Sequence, residues 1–111
     1  MSNKTATASE VLTTLIDLDV NGIQNIYNGP CMLRGVFINT VMSAHSVAIN
    51  DDTTLMYTLA ADTKAGQWIE FGDTIFSTSL KLTANNSSTG KVRVCFIPIT
   101  EGLVGGGAGL P

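Results

Sequence analysis

The chain has 111 residues, enough for one domain that buries a core without a disulfide or a metal to hold it. Hydrophobic residues make up 44% and charged residues only 14%, which excludes disorder of the chain as a whole. Six Lys and Arg stand against nine Asp and Glu for a net charge of -3, with no basic stripe to neutralise phosphates, so nucleic acid is not an expected partner.

The first nine residues, MSNKTATAS, are small and polar and read as an N-terminal arm. They hold no apolar stretch that would serve as a secretory signal, so the sequons at Asn3, Asn85 and Asn86 are expected to stay unmodified. Thr13 to Val20 sets Ile16, Leu18 and Val20 on one parity and Asp17 and Asp19 on the other, the alternation of a strand with one wet face. Asn21-Gly22 supplies a turn, Gly22 to Tyr27 a short strand, and Asn28-Gly29-Pro30 a second break. From Cys31 to Thr40 both parities are apolar: Cys31, Leu33 and Phe37 on one, Met32, Val36 and Ile38 on the other. Such a run predicts a strand covered on both sides, the second cover being the same chain or another copy.

Val47 and Ile49 share a face, Asn50-Asp51-Asp52 suits a hairpin loop, and the return strand puts Leu55, Tyr57 and Leu59 together. After a loop over 60–66, Gln67 to Phe71 reads as a strand, and Gly72-Asp73 turns the chain into Thr74-Ile75-Phe76. Leu80, Leu82 and Ala84 alternate with Ser79, Lys81 and Thr83, and Val92, Val94 and Phe96 alternate with Lys91 and Arg93. With Asn85 to Gly90 between them, these two runs read as a hairpin, which Pro98 ends. The outward parity of the last strand joins Cys95 and Ile97 to Lys91 and Arg93, a candidate subunit contact. Residues 101–111, EGLVGGGAGLP, hold five of the eleven glycines and read as a C-terminal arm.

Short strands at this spacing predict an all-β fold: a two-sheet β-sandwich, jelly-roll-like, with extended N- and C-terminal arms. The expected organisation is an arm over 1–9, a sandwich over 10–100 and a Gly-rich arm over 101–111. No run reaches the roughly 18 apolar residues that cross a bilayer, so no membrane role is expected.

Chemistry-bearing groups are sparse. The one histidine, His45, has no nucleophile or orienting acid in a recognisable motif beside it. Cys31 and Cys95 read as reduced, small apolar residues. The acids are spread over separate turns, and Asp51-Asp52 supplies only two adjacent carboxylates, fewer than a calcium loop needs. Gly105-Gly106-Gly107 lacks the lysine and the helix of a phosphate loop. No enzyme activity, cofactor or metal is expected. The chain's only tryptophan, Trp68, leaves one recognition chemistry open, stacking against a sugar ring.

From Gly35-Val36-Phe37-Ile38-Asn39-Thr40 the order of elements continues through Val47 to Asp52, Leu55 to Leu59 and Gly66 to Phe71, and closes with Ser79 to Ala84 and Gly90 to Phe96. This order resembles the small β-sandwich virion proteins of tailed bacteriophages, particularly capsid decoration (cement) proteins. The resemblance implies a structural protein on the capsid surface of the virion, made in the host cytoplasm. It would form a homotrimer and clamp neighbouring subunits of the major capsid protein. Candidate contact residues are Thr5, Thr7 and Glu10 toward the first arm, Met32 and Phe37 on the doubly apolar strand, and Leu103, Val104 and Leu110 as anchors in the second arm. The alternatives are a receptor- or glycan-binding module of a tail fibre working through Trp68, and another non-enzymatic head or tail component.

Overall fold

A computed structural model of the chain describes residues 10–19, 22–85 and 87–99, and among them it places eight strands and no helix. They are β1 (Leu12–Asp17), β2 (Gly22–Tyr27), β3 (Cys31–Thr40), β4 (Val47–Asp51), β5 (Thr54–Leu59), β6 (Trp68–Phe76), β7 (Leu80–Ala84) and β8 (Lys91–Pro98). They form two antiparallel sheets, ordered β1-β8-β3-β6 and β2-β7-β4-β5. The two arms expected from the sequence, with Thr5, Thr7, Leu103, Val104 and Leu110, lie outside the described residues.

The pairing is nested. β1 pairs with β8, β2 with β7, β3 with β6 and β4 with β5, so the chain is one long antiparallel ribbon turned at the β4–β5 hairpin. Rolling that ribbon lays β3 beside β8 and β4 beside β7. The result is the eight-stranded jelly roll expected from the strand spacing. Its core is built from the inward positions of both sheets, among them Leu33, Val36, Ile38, Ile49, Leu82, Val92 and Val94, each at most 1% exposed. Complete burial of one such side chain stabilises by about 1.5–3 kcal/mol before entropy is charged against it. Phe76 at the end of β6 is the largest wholly buried side chain.

Four local readings need correction. The run 79–96 is not a hairpin: β7 and β8 belong to different sheets, and the 85–90 connection crosses between them. Alternation identifies the buried face of each strand, and the inward faces of two opposed sheets look alike in sequence. The crossing is held by Leu18, whose N–H donates to the Gly90 carbonyl at 2.9 Å, and by the Ser88 hydroxyl, which accepts from the Asn85 N–H at 2.9 Å.

β3 is not covered on both sides either. A register shift between Leu33 and Gly35 inserts an extra residue, so Cys31, Leu33, Val36 and Ile38 all face the core. Met32 and Phe37 fall on the outer face, half-buried and exposed respectively. The bulge, not a second cover, makes both parities apolar. A shift between Ile49 and Asn50 likewise turns Leu55 outward, 59% exposed, while Tyr57 packs on Phe71 with ring centroids 4.5 Å apart. Lastly, Gly72-Asp73 does not end its strand: β6 runs through both residues, each with positive φ (64° and 58°), as a kink.

Asp51, the last residue of β4, ties this framework together. Its carboxylate accepts from the N–H groups of Ser77, Thr78 and Ser79 at 2.9–3.1 Å and from the Ser77 hydroxyl at 3.0 Å. Burial pushes its pKa up, but those hydrogen bonds outweigh it and hold the carboxyl below its ordinary value. The β4–β5 hairpin is thereby fixed to the β6–β7 connection.

Candidate interaction surface

The two outer faces of the sandwich differ in chemistry. On the β2-β7-β4-β5 sheet the register aligns Ile23, Thr83, Ala48 and Thr58 in one row and Asn25, Lys81, Asn50 and Leu55 in the next. That face is polar or small, with its two large apolar groups at opposite edges. The β1-β8-β3-β6 sheet is the reverse.

Its first outer row runs Ile97–Met32–Ile75, extended by Val11 just ahead of the Leu12–Phe96 pair. The second is Thr13–Cys95–Gly35–Glu70, and the third Leu15–Arg93–Phe37–Trp68. A fourth, Asp17–Lys91–Thr40, closes the face. Val11, Leu15, Phe37, Trp68 and Ile75 are 36–60% exposed. Five large apolar side chains concentrated on one sheet face are an interaction surface by their chemistry, whereas scattered ones would need no explanation.

The β3 bulge organises the middle of this face. Gly35 has no Cβ, and the Trp68 indole occupies the space: a Cβ there would lie 2.2 Å from its Cζ2. The indole is thus laid against the sheet, and Trp68 as a whole remains 45% exposed. Trp68 Nε1–H donates to Glu70 Oε1 at 3.0 Å, and Glu70 Oε2 accepts from the Gly72 N–H at 3.0 Å. The ring is therefore fixed before anything binds.

Beside it, Arg34 forks onto Asp73 through Nε and Nη2 at 3.0 and 3.1 Å, and this pairing holds the Asp73 carboxyl below its ordinary pKa. The Asp73 kink is braced from below. The Thr74 hydroxyl donates to the Phe71 carbonyl at 2.6 Å, which leaves Tyr57 Oη to donate to Thr74 Oγ1 at 2.6 Å.

Of the residues singled out in the sequence, Met32, Phe37 and Trp68 meet on this one face, and Glu10 is exposed just before β1. Val11, Leu15 and Ile75 were missed as contributors. Leu15 was legible, since it sits opposite in parity to Ile16 and Leu18; Ile75 was hidden by the kink at Gly72-Asp73. Cys95 lies on the outer face, half-buried, and Cys31 on the inner face, wholly buried. Both thiols are free, on opposite sides of one sheet. Burial, with a contribution from the Asp51 charge, pushes the Cys31 thiol up to about 11. Burial also raises Cys95, against the pull of Arg93 and Arg34.

His45 is half-buried in the bend between β3 and β4. Among the described residues no group of three or more His, Cys, Asp and Glu could hold a metal ion, and no helix is long and apolar enough to cross a membrane. Comparison with protein-family models, with curated proteins and with solved structures gives no match.

Proposed function

We propose that the chain is a structural virion protein of the capsid-decoration type, binding assembled head shells and bracing adjoining capsomers. The observation that carries this reading is the outer face of β1-β8-β3-β6, where Val11, Leu15, Phe37, Trp68 and Ile75 lie 36–60% exposed around a locked indole. A jelly roll that leaves this much apolar area uncovered on one face, and a polar layer on the other, is shaped for one-sided contact with protein. The order of elements from Gly35 to Phe96 supports the same reading through its likeness to phage decoration proteins. The terminal segments would add contacts at each copy, and many weak contacts on a shell sum by multivalency.

Co-sedimentation with purified phage heads tests the proposal. Saturable binding to assembled shells but not to free capsid subunits is expected. Deletion of residues 102–111 separates the tail's contribution from that of the sheet face. Absence of binding to any shell would remove the decoration role.

The setting of Trp68 favours a second reading, a glycan-binding module of a tail fibre. An indole seated against Gly35 and tied to the Glu70 carboxylate is a surface on which a sugar ring could stack. Saturable glycan binding, lost in a folded Trp68→Ala variant, would favour this reading over the first.

A further inference from the structure

We infer that the outer face of β1-β8-β3-β6 is covered by the same face of a second copy of this chain, across a two-fold axis running along the strands between β8 and β3. Size is the first consideration. Four strands at about 4.8 Å and the length of β8 at about 3.3 Å per residue give a face of roughly 19 by 26 Å. Side-chain relief raises its accessible surface toward the roughly 800 Å² per partner of a standard interface. Two sheets can pack face to face over such an area, as the two layers of a sandwich do. Three copies around an axis would incline neighbouring sheets and leave the middle strands β8 and β3 uncovered, so the pair replaces the expected trimer.

Charge then selects the arrangement. Arg93 on β8 donates to the Thr13 hydroxyl at 3.4 Å and forms no ion pair among the described residues. Glu70 on β6 holds Trp68 and Gly72; the Arg34 guanidinium acts on its charge from farther off, and no cation stands within ion-pair distance among the described residues. The two groups lie on one face with β3 between them.

A two-fold axis along the strands keeps each row opposite itself and exchanges β1 with β6 and β8 with β3. Arg93 then lies over the partner's Phe37 and beside the partner's Glu70, and the contact is made twice. Leu15 meets the partner's Trp68 and Val11 the partner's Ile75, while Ile97, only 4% exposed, adds no contact of its own. A two-fold axis across the strands would instead set Glu70 against its own copy and Arg93 over Ile97. Only the first arrangement joins opposite charges and pairs apolar side chains in every apolar row.

The pair uses the face that the decoration reading offers to a shell, so it is the state of the free chain, exchanged for shell contact on assembly. Self-association without a shell and binding to a shell are measured separately, and either can fail alone. Light scattering on the full chain, from micromolar to submillimolar concentration, should show the mass rising from 11.7 kDa to twice that value. Emission from Trp68, the single tryptophan, should shift to the blue in step. Leu15→Glu, at a 46% exposed position, should weaken pairing at least about tenfold, while Ile23→Glu on the opposite sheet leaves it unchanged. In a Cys95→Ser background, a short bismaleimide should link Val11→Cys chains to Ile75→Cys chains on mixing and link neither variant to itself. A mass of one chain throughout, a mass of three chains, dissociation by Ile23→Glu but not by Leu15→Glu, or self-linking of the Val11→Cys chain would each overturn the inference.

Discussion

Gly35→Ala is the sharpest test of how the apolar face is built. The added methyl would stand 2.2 Å from Trp68 Cζ2, 2.5 Å from Cη2 and 2.7 Å from the Ile69 carbonyl oxygen. The indole could swing away, at the cost of its hydrogen bond to Glu70, but the carbonyl belongs to the neighbouring strand and moves only if β3 and β6 separate. Overpacking of this kind costs about 1–3 kcal/mol. Replacing a glycine inside a strand returns about 0.5–1 kcal/mol of backbone entropy. The clash wins, and the net loss is about 1–2 kcal/mol. For a domain this size that lowers Tm by roughly 5–15 °C.

Urea and thermal unfolding followed by far-UV circular dichroism would measure the effect in every background, and where Trp68 is present the emission of the folded variant should shift to the red as the ring leaves its seat. In a Trp68→Ala background the two indole contacts vanish and only the Ile69 carbonyl remains, so the same substitution should cost measurably less. A Gly35→Ala protein as stable as the parent, with unchanged emission, would refute the reasoning. So would an equal penalty in both backgrounds.

Three further outcomes are expected. Asp51→Asn should destabilise by about 1 kcal/mol at neutral pH, since the amide keeps one acceptor oxygen and water reaches the site. Because the folded carboxyl lies below its unfolded value, its contribution is complete above about pH 4 and is lost as the pH falls from there through the folded pKa. The drop in urea midpoint between pH 5 and pH 3 should accordingly shrink in Asp51→Asn. Ellman's reagent at pH 8 should modify one thiol in the dilute native protein, Cys95, and release the second only on unfolding, because Cys31 is wholly buried with its pKa near 11. Cys95→Ser should abolish the native reaction. Phe76→Ala should cost about 3–5 kcal/mol, seen as a lower urea midpoint, by opening a cavity where the largest buried ring sits.

The fold was largely legible because each strand's inward face alternates. Val47 and Ile49, Leu80 and Leu82, and Val92 and Val94 mark the core without ambiguity. Alternation carries no information about partners, so β7 and β8 read as neighbours although they stand in opposite sheets. Bulges defeated the face assignments at Phe37 and Leu55, since one extra residue inverts everything beyond it. The contact face was legible in pieces: Met32, Phe37 and Trp68 stood out individually. Their alignment with Leu15, Arg93 and Ile75 depends on a register set by long-range pairing, which no local window contains.

The nested ribbon has a consequence for how the molecule is made. β8 is the last strand among the described residues, yet it sits in the interior of its sheet, flanked by β1 and β3, and supplies Val92, Val94 and Phe96 to the core. A nascent polypeptide still lacking residues 91–98 would have no middle to one of its two layers, and β1 would have no neighbour at all. Compaction therefore waits until β8 has been made, and closure of so distant a contact places folding on the millisecond-to-second scale of non-local β topologies. Ribosomes stalled before Lys91 should carry a protease-sensitive chain, and those stalled far enough beyond Pro98 to clear the exit tunnel a resistant one.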